Sequence, residues 1–129
     1  MGQQQLLLIV LGVIIVGIAV VVGINLFNAN ATNANRDAVV SDLNNLGAMA
    51  QQFYKKPTSM GGGGNLFTGW DLTIPPTLLT TANGTYVPGV APQQVTIVGT
   101  GVEVGQDGTN PVSVTATVTP TSITCQVDN

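Results

Sequence analysis

The chain has 129 residues, enough for one domain or one small domain with an appendage, and only 7% of them are charged, against roughly 25% in ordinary soluble domains. It has no histidine, a single cysteine and a net charge of −3, so His-based acid–base chemistry, His-containing zinc sites, Ser-His or Cys-His nucleophile pairs and an internal disulfide are excluded. Arg36, Lys55 and Lys56 are the only cations, too few for a nucleic-acid surface.

No charge precedes Arg36. Leu6 to Ile24 reads LLLIVLGVIIVGIAVVVGI, nineteen positions that are all aliphatic or glycine. As a helix this run is roughly 28 Å long, close to the thickness of a bilayer's hydrocarbon core. It is apolar all the way round, so it has no polar face with which to lie on a surface. Exposing such side chains to water costs about 1.5–3 kcal/mol each, which excludes a free soluble monomer. The segment is too long for the apolar part of a cleaved secretory signal, and no Lys or Arg precedes it.

Asn25 to Asn35 (NLFNANATNAN) is polar, small and uncharged, the weakest stretch of any continuous helix. Beyond it Val39, Leu43, Leu46, Ala50 and Phe53 recur at spacings of three and four, opposite Asp37, Asp42, Asn45, Gln52 and Lys56. That is an amphipathic helix with one stripe to bury. Lys55 and Lys56 suit its last turn, and Pro57 stops it. With no earlier proline, one helix from about residue 3 to 55 is expected, any break falling between Gly17 and Asn35.

The texture then changes. All seven prolines and fifteen of the sixteen threonines lie at or beyond Pro57. Gly61 to Gly64 reads as a flexible linker, and residues 65 to 82 as an irregular loop or short turn. Period-two alternation marks Val95/Ile97, Val102/Val104, Val112/Val114/Ala116/Val118 and Ile123/Cys125/Val127. Turn signals separate them at Asn83-Gly84, Gly99-Thr100-Gly101, Asp107 to Pro111 and Pro120. An antiparallel sheet of three or four strands follows. Such a sheet is marginal alone, and the stripe of Val39, Leu43, Leu46, Ala50 and Phe53 is the obvious cover. The expected class is α+β: a helical segment 1–56 (apolar stalk 1–27, amphipathic half 36–56), a linker 57–65 and a β head 66–129.

Few motifs carry chemistry. The glycine run lacks the following Lys and Ser/Thr of a phosphate cradle. Asp107-Gly108-Thr109-Asn110 lacks the twelve-residue calcium-loop pattern and reads as a hairpin turn. Asn30-Ala31-Thr32 and Asn83-Gly84-Thr85 match the N-glycosylation acceptor, which puts Asn30 and Asn83 among the candidate sites. No catalytic residue, cofactor or metal is expected.

A polar cap, a polar residue at position five, about twenty aliphatic positions, an amphipathic helix and a small β head together resemble the type IV pilins. Met1 falls on the first position of the family's mature chains and Gln5 on its fifth-position glutamate, with Leu6 and Leu7 following. A register beginning at Gln3 is the alternative. The chain departs from the family at Gln5, at Gly23 where many pilins have a helix-bending proline, and in lacking paired C-terminal cysteines. The resemblance implies a processed, non-enzymatic structural subunit that polymerises into an extracellular filament on the cell surface. Its implied partners are other copies of itself, the inner membrane before assembly, and the pilus assembly machinery. No nucleic acid and no small-molecule substrate is implied. The implied subunit contacts are Met1, Gln5, Leu6, Leu7, Ile9, Val10, Val13, Ile14, Val16, Gly17, Val20 and Val21. The competing readings are a monomeric, membrane-anchored extracellular binding module and a minor pseudopilin of a secretion system.

Overall fold

A computed structural model describes residues 2–129. Helix α1 runs without interruption from Gly2 to Lys55, so the asparagine-rich stretch does not break it. Two compact units divide the chain, one ending at Ala31 and the other covering Thr32–Asn129; the boundary falls inside α1.

The helix ends at Pro57 for the expected reason, but the glycine run behind it is an ordered cap. Gly63 N–H donates to Phe53 O (2.8 Å), Gly64 N–H to Lys56 O (2.9 Å) and Asn65 N–H to Tyr54 O (2.8 Å). These bonds satisfy carbonyls that the last helical turn leaves without intrahelical partners. Gly61, Gly64 and Asn65 all have positive φ, and a β-carbon on Gly63 would lie 1.8 Å from Leu66 O. Conformational freedom there serves a tight wrap around the helix end, where composition alone suggested a flexible linker.

The fold is α+β, with a five-stranded antiparallel meander: β1 (Thr80–Thr81), β2 (Gly84–Ala91), β3 (Gln94–Val104), β4 (Pro111–Val118) and β5 (Ile123–Val127), in spatial order β1-β2-β3-β4-β5. Two features differ from the sequence expectation of three or four strands. The Gly84–Ala91 strand was not anticipated, because Pro88 and glycines 84 and 89 dilute its alternation. Gly99-Thr100-Gly101 is not a turn: it lies inside β3, which joins the two expected short strands into one of eleven residues. The segment 65–82 is largely irregular, with 3₁₀ turns at Trp70–Leu72 and a four-residue helix α2 (Pro76–Leu79) leading into β1. It contributes three core residues, Phe67, Trp70 and Ile74.

In the Thr32–Asn129 unit, Val39, Leu43, Leu46 and Ala50 of α1 are buried in one cluster with Val95 and Ile97 of β3 and Val112, Val114, Ala116 and Val118 of β4. Phe53 packs half-buried against the same cluster. Strict inward alternation on β4 gives the helix an unbroken Val/Ala surface, while Ser113, Thr115 and Thr117 point the other way. Helix and sheet approach closely at two glycines. A β-carbon on Gly99 would sit 2.8 Å from Val39 Cγ1, and one on Gly47 would sit 3.0 Å from Ile123 Cδ1.

Candidate assembly surface

The residues implied as subunit contacts lie on α1 within the first unit. Met1 falls outside the described residues. Gln5, Leu6, Leu7, Ile9, Val10, Val13, Ile14, Val16, Gly17, Val20 and Val21 are all exposed, and so is every other described residue as far as Asn30. Their positions are spread around the helix circumference, so they form a cylinder rather than a stripe. Phe27, just beyond the apolar run, is 75% exposed. One window of this helix is long and apolar enough to cross a membrane, and none of it is buried.

At its polar end the cylinder carries shallow grooves. One is lined by Gln3, Leu6, Leu7 and Val10, another by Gln4, Leu7, Leu8 and Leu11. Each has an apolar floor and a single amide at its rim. Beyond the helix's own nearby backbone, no described atom lies within 4 Å of where a β-carbon on Gly12, Gly17 or Gly23 would stand. They offer flat places where another helix backbone can come close.

Polar groups of α1 hold the sheet in the second unit. The Thr32 hydroxyl donates to Val104 O (2.8 Å). Asn35 is buried: its Nδ2 donates to Asn83 O (2.8 Å), and its Oδ1 accepts from the backbone of Val102 (3.1 Å) and Glu103 (3.3 Å). The β3–β4 register shifts between Thr100 and Val104, which frees those two N–H groups from the ladder, and Asn35 satisfies them. Two helical turns further on, the Asp42 carboxylate accepts from Thr81 Oγ1 (3.2 Å), Asn83 Nδ2 (3.1 Å) and Tyr86 Oη (2.5 Å). Burial, and then the hydrogen bond to Asp42, push the Tyr86 phenol well above its usual range. Both groups fix the β1–β2 end of the sheet to the helix.

By pattern alone Asp42 belongs to the polar face and Asn35 to the weakest helical stretch. Asn35 lies four residues before Val39, so the apolar stripe extended one turn toward the N-terminus reaches it; Asp42 lies between Val39 and Leu46, where its charge masks its position.

Of the two glycosylation candidates, Asn30 is exposed on α1, whereas the Asn83 amide is half-buried and donates to Asp42. Cys125 is half-buried on β5, its Sγ 3.6 Å from Asn44 Oδ1, and burial raises its thiol pKa. Asp107 closes the β3–β4 turn: its Oδ1 accepts from the backbone of Thr109 and Asn110, both at 2.9 Å, and its Oδ2 from Asn110 Nδ2 (2.7 Å). Those bonds lower its pKa to about 2. Both carboxylate oxygens accept from their own loop, and the group remains exposed. No group of three or more His, Cys, Asp or Glu side chains gathers as a metal site among the described residues. Compared with known protein families, curated proteins and solved structures, the chain matches none of them.

Proposed function

We propose that the chain is a type IV pilin-like structural subunit that polymerises through its apolar helix into an extracellular filament. The observation that carries this reading is the exposed apolar run from Leu6 to Ile24 on a helix that continues into a folded head. Such a surface has to be covered. Lipid covers it before assembly, and a bundle of identical helices covers it afterwards, so it never meets water. Both surroundings are apolar, so transfer between them gains little from the hydrophobic effect. Close helix packing and contacts between heads drive it instead. Gln3, Gln4 and Gln5 mark the polar edge of the span, and the role is structural rather than catalytic.

Electron microscopy of sheared cell-surface fractions, with antibody to the head, tests the proposal. Thin fibres that label along their length support it. Label confined to the membrane, with no fibres, returns the chain to a monomeric anchored module. Val13→Asp or Ile15→Lys should abolish fibres while the head stays folded, because an ion inside the bundle has neither water nor partner and costs several kcal/mol.

A further inference from the structure

Apart from Asp42, which is held by Thr81, Asn83 and Tyr86, the few charges of the Thr32–Asn129 unit lie toward its two ends. Lys55 and Lys56 are exposed where α1 terminates beside the β2–β3 turn, a neighbourhood fixed by Tyr54 Oη donating to Gln93 Oε1 (3.0 Å) and Phe67 N–H to Pro92 O (3.0 Å). Glu103 and Asp107 are exposed at the other end of β3, where Thr32 meets Val104. Asp37 and Asp128 lie toward that acidic end and are also exposed; Arg36 is there too, and Asp71 lies toward the basic end. The eleven residues of β3 separate the poles by roughly 33 Å. Among the described residues no lysine pairs with any of these carboxylates.

We propose that the Lys55–Lys56 pole of one head docks on the Glu103–Asp107 pole of the next copy in the filament. The proposal rests on the filament reading above and names the contact that sets its register. Opposite poles on one molecule fit a second copy of the same chain, placed head to tail. A two-fold contact would bring like charges together, whereas a head-to-tail contact repeats without closing and yields a polymer. Asp107 is suited to the role because its turn keeps it ionised down to about pH 2. Among the described residues neither the Lys55 nor the Lys56 ammonium donates a hydrogen bond, and both side chains are exposed. Exposed ion pairs are individually weak and sensitive to salt, which suits a contact that selects register while the apolar helices hold the polymer.

The test uses the full chain in cells that assemble it, with filament recovered by shearing and weighed against total subunit. Lys55→Glu with Lys56→Glu should lower the yield about tenfold, and Glu103→Lys with Asp107→Asn should do the same. Asparagine at 107 retains the acceptor that closes the turn, and thermal unfolding of each variant checks that the head is intact. The four changes combined should recover several-fold over either pole's variant alone, short of the original yield because Asp37 and Asp128 remain at that end. Reversal at either pole without effect, or failure of the combined variant to recover while its head unfolds normally, overturns the contact alone. A starting chain that makes no filament overturns the filament reading itself.

Discussion

The Asn35 carboxamide occupies the space that a side chain on Gly101 would need: a β-carbon there would lie 2.1 Å from Asn35 Oδ1. Glycine at 101 and asparagine at 35 are therefore one feature, a helix side chain inserted into a gap in strand β3. Gly101→Ala should cost about 1–3 kcal/mol from overpacking. Asn35→Ala should cost a similar amount, about 1–3 kcal/mol, by leaving Val102 and Glu103 N–H without an acceptor. The double variant should be more stable than the sum of the two losses, since removing the amide vacates the space that the new methyl fills. Urea unfolding in detergent, followed by the fluorescence of Trp70, measures all three. Strict additivity would show that the two positions are not coupled.

The helix and its cover were legible because each obeys one period without interruption. Val39, Leu43, Leu46 and Ala50 repeat at three and four, and Val112, Val114, Ala116 and Val118 repeat at two. What was hidden shares a cause. Glycines 99 and 101 look like a turn in sequence, yet they sit in a strand because Val39 and Asn35 press on them from the helix. Pro88 argues against a strand, yet it is accommodated on β2, whose only other neighbour is the two-residue β1, paired no further than Thr85. Asp42 reads as solvent-facing by charge alone, and only the β1–β2 turn supplies its three donors. In each case the deciding neighbour is at least 40 positions away or on another element, which local pattern does not carry. On the apolar helix the sequence and the structure give the same information, because every described residue as far as Asn30 is exposed.

Tyr86 is the second place where one bond can be tested. Its hydroxyl donates to a carboxylate, an interaction worth about 1.5–3 kcal/mol where it is well shielded, so Tyr86→Phe should destabilise the head toward the lower end of that range. The folded pKa is raised above the unfolded one, so folding favours the neutral phenol. That contribution is complete below the unfolded value, near 10, and is lost as pH climbs toward the folded value. An alkaline titration followed at the phenolate absorbance should show one tyrosine ionising only as the head unfolds. That component should vanish in Tyr86→Phe. Its persistence would assign it elsewhere.

Asp107 works in the opposite sense. Its folded pKa, about 2, lies below the unfolded value, so the turn is supported at neutral pH and that support is lost as pH falls through about 2. The side chain is fully exposed, so the consequence is local. Carbon-detected titration of the carboxyl should find a midpoint near 2, well below ordinary aspartate. Asp107→Ala should speed amide exchange at Thr109 and Asn110 while leaving exchange in β4 unchanged. Exchange that accelerates equally along β4 would mean that the turn holds the sheet together.

Gln5 is one of the places where the chain departs from the family it resembles, and its environment in a polymer makes a sharp expectation. The side chain is exposed on α1 and has no hydrogen-bond partner among the described residues. Buried in a helix bundle without one, an amide costs roughly 1–3 kcal/mol. Its carbonyl can accept from a terminal ammonium of a neighbouring copy, and its NH₂ needs a backbone carbonyl or another glutamine. Gln3 and Gln4 of adjacent copies are the side chains of matching chemistry at that level. A neutral bond of this kind is weaker than an ion pair but avoids the desolvation of a carboxylate. Gln5→Leu should therefore lower filament yield only a few-fold, about 1 kcal/mol in assembly free energy, and Gln5→Glu should be tolerated where an ammonium lies in reach. A filament reconstruction decides the matter. If Gln5 contacts only aliphatic side chains, with no polar atom within about 3.5 Å, it marks the membrane edge and takes no part in assembly.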